Sequence, residues 1–141
     1  MSRLSEAHKY VVSISMAIAI LLMLTTVTFI FMIYTDMMAC QRLCDLVESR
    51  VVEVIAYAES EGNVTVKLSL NEIASRPFEL YVINSSHIEV RVPLKYISNL
   101  AIRKYIVLPE RVFFNYSGLI PSSFTLVFKE VDGKVFVNVR P

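Results

Sequence analysis

The chain has 141 residues, 55% of them hydrophobic and only 19% charged, with a formal net charge of +1. Soluble domains usually carry about 25% charged residues, so a mean hydropathy of +0.53 argues against an ordinary cytosolic protein, and the near-neutral balance argues against a dedicated nucleic-acid binder. His8, His87, Cys40 and Cys44 are too few and too scattered for a His/Cys metal cage or a disulfide-framed fold, and no P-loop, GxGxxG, HExxH or GxSxG is present.

After a short tail, residues 1–9, the stretch from Tyr10 to Thr35 contains 26 residues and no charge. About 20 apolar helical residues cross a hydrocarbon core of roughly 30 Å, so 10–35 reads as a transmembrane helix with Tyr10 and Tyr34 at its interfaces. Ser13, Ser15, Thr25, Thr26 and Thr28 interrupt it; their hydroxyls can bond back to the preceding turn or form a helix–helix face. The run is longer than the about 7–15 apolar residues of a cleaved signal peptide, which favours an uncleaved signal anchor. Met37-Met38-Ala39-Cys40 loosely resembles a lipoprotein box, but the methionines fit it poorly. Flanking Lys and Arg are nearly balanced. The short tail with Arg3 and Lys9 is expected to stay in the cytoplasm, which puts the rest outside the cell membrane. Three sequons beyond the span, at Asn63, Asn84 and Asn115, agree with that orientation and are candidate glycosylation sites.

The first 61 residues contain neither Gly nor Pro, and Gly62 supplies a stop. The helix is therefore expected to continue over 36–61, about 80 Å in all for about 55 residues. Its apolar residues recur at Ile33, Met37, Cys40, Cys44, Val47, Val51, Val54 and Ala58, with Leu43 and Leu46 widening the stripe. That 3.5-residue spacing predicts a packing seam, buried either by the chain's own C-terminal domain or by other subunits. Cys40 and Cys44 lie on it, one turn apart. They read as small buried apolar residues, as intersubunit disulfides, or as palmitoylation or metal-binding thiols; a bridge between them is disfavoured by helix geometry.

From residue 63 the period drops to 2. Val64–Leu70, Phe78–Ile83, Ile88–Val92, Phe124–Lys129 and Val135–Arg140 alternate apolar and polar residues and predict strands with one buried face. Asp132-Gly133 marks a two-residue hairpin and Asn84-Ser85-Ser86 a weaker turn. Arg103–Leu108 and Val112–Asn115 can add a short pair split by Pro109, and residues 71–74 a helical turn. The expected fold is α+β: one long helix, then a small, mostly antiparallel β head over 62–141, too small to bury a large core by itself.

Catalytic chemistry is not in evidence. His87 beside Ser85 and Ser86 reads as a turn, and the head carboxylates Glu72, Glu79, Glu89, Glu110, Glu130 and Asp132 read mostly as solvated outer-face groups. Arg103, Lys104 and Arg111 form one basic cluster, a surface feature or a contact for an acidic glycan or partner. No enzyme, cofactor, metal, small-molecule substrate or nucleic-acid partner is expected.

A short tail, a long helix with an apolar first half and a small β head together resemble archaeal type IV pilin-like proteins, including archaeal pilins and the stator-type anchored proteins of the archaellum. The segments NVTVKLSLNEIASRPFELYVI, HIEVRV and TLVFKEVDGKVFVNVR carry the resemblance. Glu6-Ala7 partly matches a prepilin cleavage point, but His8 and Lys9 stand where apolar residues are expected, which favours an uncleaved or minor anchor protein. The resemblance implies a structural subunit or accessory component of a surface filament or secretion machine, with the membrane and other copies or machine subunits as partners. The other reading of the residues is a single-pass tethered module that recognises a cell-envelope partner.

Overall fold

With no residue to break it, one helix forms: α1 spans Ser2–Glu61. The computed structural model describes residues 2–69, 76–121 and 123–140. The chain divides into two compact units, Met1–Asp36 and Met37–Pro141.

In the first unit the apolar side chains are exposed, among them Ile14, Leu21, Leu22, Met23 and Phe31. The most apolar 18-residue stretch has a mean hydropathy of 2.6 and none of it is buried by the rest of the chain, so it is a candidate membrane span. The threonine hydroxyls are satisfied within the helix. Thr25 and Thr26 donate to the Leu22 carbonyl at 2.9 and 2.7 Å, Thr28 to Leu24 at 2.8 Å and Thr35 to Phe31 at 2.8 Å. An apolar solvent therefore exacts no unmade hydrogen bond from them.

In the second unit, among the described residues, the last turns of α1 join eight strands: β1 (Val64–Ser69), β2 (Glu79–Asn84), β3 (His87–Pro93), β4 (Ala101–Val107), β5 (Val112–Phe114), β6 (Gly118–Ile120), β7 (Ser123–Val131) and β8 (Lys134–Arg140). They form two four-stranded sheets, the first in the order β1-β7-β8-β5 and the second β4-β3-β2-β6. All pairings are antiparallel except β5 with β8. The fold is thus α+β, with a helix followed by a mostly antiparallel head.

The helix stops at Gly62, whose φ of 82° is the left-handed cap that glycine adopts without cost, and whose N–H closes onto Ala58 O at 2.9 Å. The Asp132-Gly133 turn has both residues at positive φ, 53° and 77°, which matches the twist of the flanking strands β7 and β8. At Asn84-Ser85-Ser86 the Asn84 side-chain oxygen accepts the Ser86 N–H at 2.9 Å, a local turn that fixes the β2–β3 hairpin.

One expected strand pairing does not form. Arg103–Leu108 and Val112–Asn115 do not pair with each other: β4 joins β3 in the second sheet, and β5 joins β8 in the first. Pro109 makes a crossing between sheets rather than a hairpin, its carbonyl accepting Val112 N at 3.0 Å. The β2–β3 turn holds both sides of the crossing, Ser86 O accepting Leu108 N and Ser85 O accepting Phe114 N, each at 2.9 Å. Strand β6 was not anticipated. Leu70 and the possible turn at 71–74 lie outside the described residues.

The core is shared by both sheets and the helix. Leu80, Ile88, Val90, Val92, Val112, Phe128, Val135 and Val137 pack with Cys40, Cys44, Val47, Val54, Ile55 and Ala58 in one cluster. A void of about 20 Å³ among Val51, Leu80, Ile88, Phe124 and Leu126 has only apolar walls, so it offers a water no hydrogen bonds. The helix seam is thereby covered by the chain's own head.

Candidate functional site

Alternation along β2, β3 and β4 sends Glu79, Tyr81, Glu89, Arg91, Arg103 and Tyr105 to the outer face of the second sheet. Register brings them together: Tyr81 lies opposite Glu89 and Glu89 opposite Tyr105, while Glu79, Arg91 and Arg103 form the next row. Glu89, expected to be solvated, is 3% exposed. Arg91 forks its carboxylate, Nε to Oε1 at 2.8 Å and the second guanidinium nitrogen to Oε2 at 3.1 Å, and Arg103 Nε stands 3.6 Å from Oε1. Arg91 in turn stacks 4.2 Å over the Tyr81 ring, and the Tyr81 hydroxyl donates to Glu79 at 3.1 Å. A carboxylate can be covered in this way because both oxygens are paired in a bidentate geometry.

The Arg91 hydrogen bond holds the Glu89 carboxyl below its ordinary range. Burial opposes this, and the charges of Arg91 and Arg103 reinforce it. The same bond raises the Arg91 guanidinium. Around this locked network Ile83, Tyr105, Val107 and Leu119 are exposed. Tyr and Arg flanked by aliphatic side chains are the composition of a recognition face. Nothing in the group pairs a nucleophile with a base.

The seam residues separate. Cys40, Cys44, Val47, Val54 and Ala58 are buried, Val51 is half-buried, and Met37 is 41% exposed and off the stripe. Leu43 and Ile55 complete the buried face while Leu46 stays exposed. The helix is also pinned by charge: Lys104 pairs with Asp45 and Glu48, which raises its ammonium above the ordinary range.

Both cysteines are free thiols. The Cys40 Sγ lies 3.8 Å from Pro93 O and receives Arg76 at 3.2 Å, and the Cys44 thiol points to Ile102 O at 3.9 Å. Burial pushes the Cys44 thiol up, with Cys40 and Asp45 adding to it and Lys104 opposing. This is the environment of a small buried apolar residue rather than of an accessible reactive thiol. Among the described residues no three His, Cys, Asp or Glu side chains converge as metal ligands.

Asn63, Asn84 and Asn115 are all exposed. Asn63 accepts Glu130 N at 3.1 Å through its side-chain oxygen, and the Asn115 backbone N–H bonds to Val137 O at 2.8 Å. His87 sits in the β2–β3 turn, with Nδ1 at 2.8 Å from Ser86 Oγ and 3.0 Å from Asn84 Oδ1. The basic cluster of Arg103, Lys104 and Arg111 is dispersed by the fold. Arg103 serves Glu89, Lys104 serves the helix, and Arg111 bridges Glu59 at 4.0 Å and Glu130 at 3.3 Å while bonding Gly133 O at 2.8 Å. Those charges stitch the head together instead of waiting for an acidic ligand. The Glu89 network went unseen in the sequence because its residues are joined only by register. Comparison with protein-family models, curated proteins and solved structures gives no match.

Proposed function

We propose that this chain is a pilin-like structural subunit or accessory component of an archaeal-type surface filament or secretion machine, anchored through residues 10–35 with its head outside the cytoplasm. The observation that carries this reading is that one unbroken helix supplies both an exposed apolar stretch and a seam built into the head. With Val47, Val54 and Ala58 already covered by the head, assembly uses the apolar first half of α1 rather than that seam. Side-chain packing between such helices supports association in a water-free setting.

The experiment is fractionation of native cells. A filament subunit appears in sheared surface material, and an accessory component co-purifies with a defined set of machine subunits. A protein that stays wholly in the membrane fraction as a lone monomer would overturn the assembly reading. Intact mass reports processing: the full chain means an uncleaved anchor, and loss of the first seven residues means prepilin-type cleavage.

A second reading, a tethered binding module, is favoured by the exposed Tyr, Arg and aliphatic face around Glu89. Retention in membranes together with capture of one envelope component would select it.

A further inference from the structure

The seven cationic residues that lie in strands divide by sheet. In the second sheet, Arg91, Arg103 and Lys104 are each ion-paired. In the first, Lys67 (β1), Lys129 (β7), Lys134 and Arg140 (β8) are all exposed, and none has a carboxylate partner among the described residues. Alternation and register put the four on one outer face. Lys67 pairs with Thr125 and Thr125 with Arg140, so these form one row; Lys129 lies opposite Phe136, and Val131 opposite Lys134.

Neighbouring strands lie about 4.8 Å apart and residues rise about 3.4 Å along a strand. Lys67 and Arg140 are therefore about 10 Å apart across β7, and Lys129 is about 14 Å further along. Glu130, next to Lys129 in sequence, is turned to Arg111. Between the cations the face is uncharged. Thr65, Val127 and Asn138 make the middle row, and an open cleft of about 420 Å³ against β1 and β7 has Thr65, Val127, Lys129 and Glu130 in its wall. Phe113 and Phe136 stack on each other at 5.9 Å, and Lys134 lies 5.5 Å over Phe113.

We propose that this face binds an acidic polysaccharide, a polymer whose repeated carboxylates meet Lys67, Lys129, Lys134 and Arg140 while its hydroxyls meet Thr65, Thr125 and Asn138. Cations without carboxylate partners, set around the polar groups of Thr65, Thr125 and Asn138, complement a polymer that is anionic at intervals and hydrogen-bonding in between. A nucleic acid fits less well, because the two Phe rings cover each other instead of offering free faces for bases. A membrane surface fits less well, because Thr65, Thr125 and Asn138 interrupt the apolar side chains, leaving no continuous apolar wedge. The proposal rests on the reading that the head lies outside the cytoplasm.

The test uses the full chain in uncharged detergent and three probes of equal charge, polygalacturonate, duplex DNA and anionic-lipid vesicles, with neutral dextran as the blank. The expected result is retention on polygalacturonate that falls as added salt shortens the Debye length below about 10 Å, and no retention on dextran. Combining Lys67→Ala, Lys129→Ala and Arg140→Ala should weaken it at least tenfold with an unchanged thermal midpoint. Combining Arg42→Ala, Arg50→Ala and Lys95→Ala removes the same charge elsewhere and should leave it within twofold. No retention, equal weakening in both triple variants, or stronger capture by DNA or vesicles would overturn the assignment. The binding assay does not depend on topology, which protease digestion of intact cells tests separately. A head cut only after lysis would remove the reading on which the glycan rests, whereas lost binding with an exposed head would remove the face.

Discussion

Glu89 shows how a single residue can be covered without being sunk in a core. It lies on the outer side of the second sheet, 3% exposed, and its cover is Arg91 with Arg103 close by. Glu89→Gln keeps the shape and removes the charge. The guanidiniums it leaves behind can turn to water, so the expected cost is that of weakened charge-assisted hydrogen bonds, about 1–2 kcal/mol in a urea titration at pH 7. The pH dependence has a definite sign. The folded carboxyl titrates below the ordinary 4.5, so between the two values the unfolded chain binds more protons. The stabilisation is complete above 4.5 and is lost as pH falls through the folded value. The difference between wild type and Glu89→Gln should therefore be widest at pH 7 and narrower at pH 3; an equal gap at both would show that charge is not what holds the site. Cys44 has the opposite sense. Its thiol is raised above 9.0, so what it contributes is present below that value and lost as pH rises through the folded one. Iodoacetamide at pH 8 should label neither cysteine in the folded protein and both in guanidinium; rapid labelling of the folded chain would contradict their burial.

At the scale of elements, the seam of α1 belongs to the head. Val47 is 1% exposed inside the shared core, so Val47→Ala should cost about 2 kcal/mol of head stability, and Val47→Glu should unfold the head rather than merely block assembly. Circular dichroism of the purified variants distinguishes the two: a folded, non-assembling Val47→Glu would return the seam to intersubunit contact. Two glycines at positive φ, one ending a helix and one in a hairpin, allow a comparison. Gly133→Ala meets open space and pays for its φ of 77° alone, about 1 kcal/mol. Gly62→Ala meets the same cost at φ 82° and brings a Cβ to 2.6 Å from Glu130 Oε2, the far end of a flexible side chain that can swing aside, so the two variants should lose similar stability in parallel thermal melts. These elements were legible because their signals are local. The Gly- and Pro-free run reads as helix, the period of 2 reads as strand, and Asp-Gly reads as a hairpin. The crossing at Pro109 was not legible, since the partner of β5 is β8, far along the chain, and a three-residue strand carries little pattern. The surfaces were hidden for the same reason. Arg103, Lys104 and Arg111 are close in sequence but serve three different sites, whereas Lys67, Lys129 and Arg140 are distant in sequence and share one face.

The whole molecule joins two units that ask for different solvents. Met37–Pro141 buries a core between its own sheets and helix turns, while residues up to Asp36 leave most of their apolar side chains bare. In water, a stretch of mean hydropathy 2.6 with no cover leaves its apolar side chains exposed at a hydrophobic cost. In hydrocarbon the helix satisfies its own backbone, and Thr25, Thr26, Thr28 and Thr35 bond within it. Two consequences can be measured. Leu22→Arg places a charge near the middle of the candidate span, where insertion of Arg costs about 2.5–3.5 kcal/mol. It should shift a large part of the protein from the carbonate-resistant membrane pellet to the soluble or aggregated fraction, while the same substitution at exposed Leu46 should leave the pellet unchanged. Conversely, a chain beginning at Met37 should stay soluble and keep a cooperative melt, because all of its core contacts lie within that unit. If that shortened chain aggregates or melts without cooperativity, the head depends on the apolar helix for its fold, and the division of labour between anchor and head would have to be abandoned.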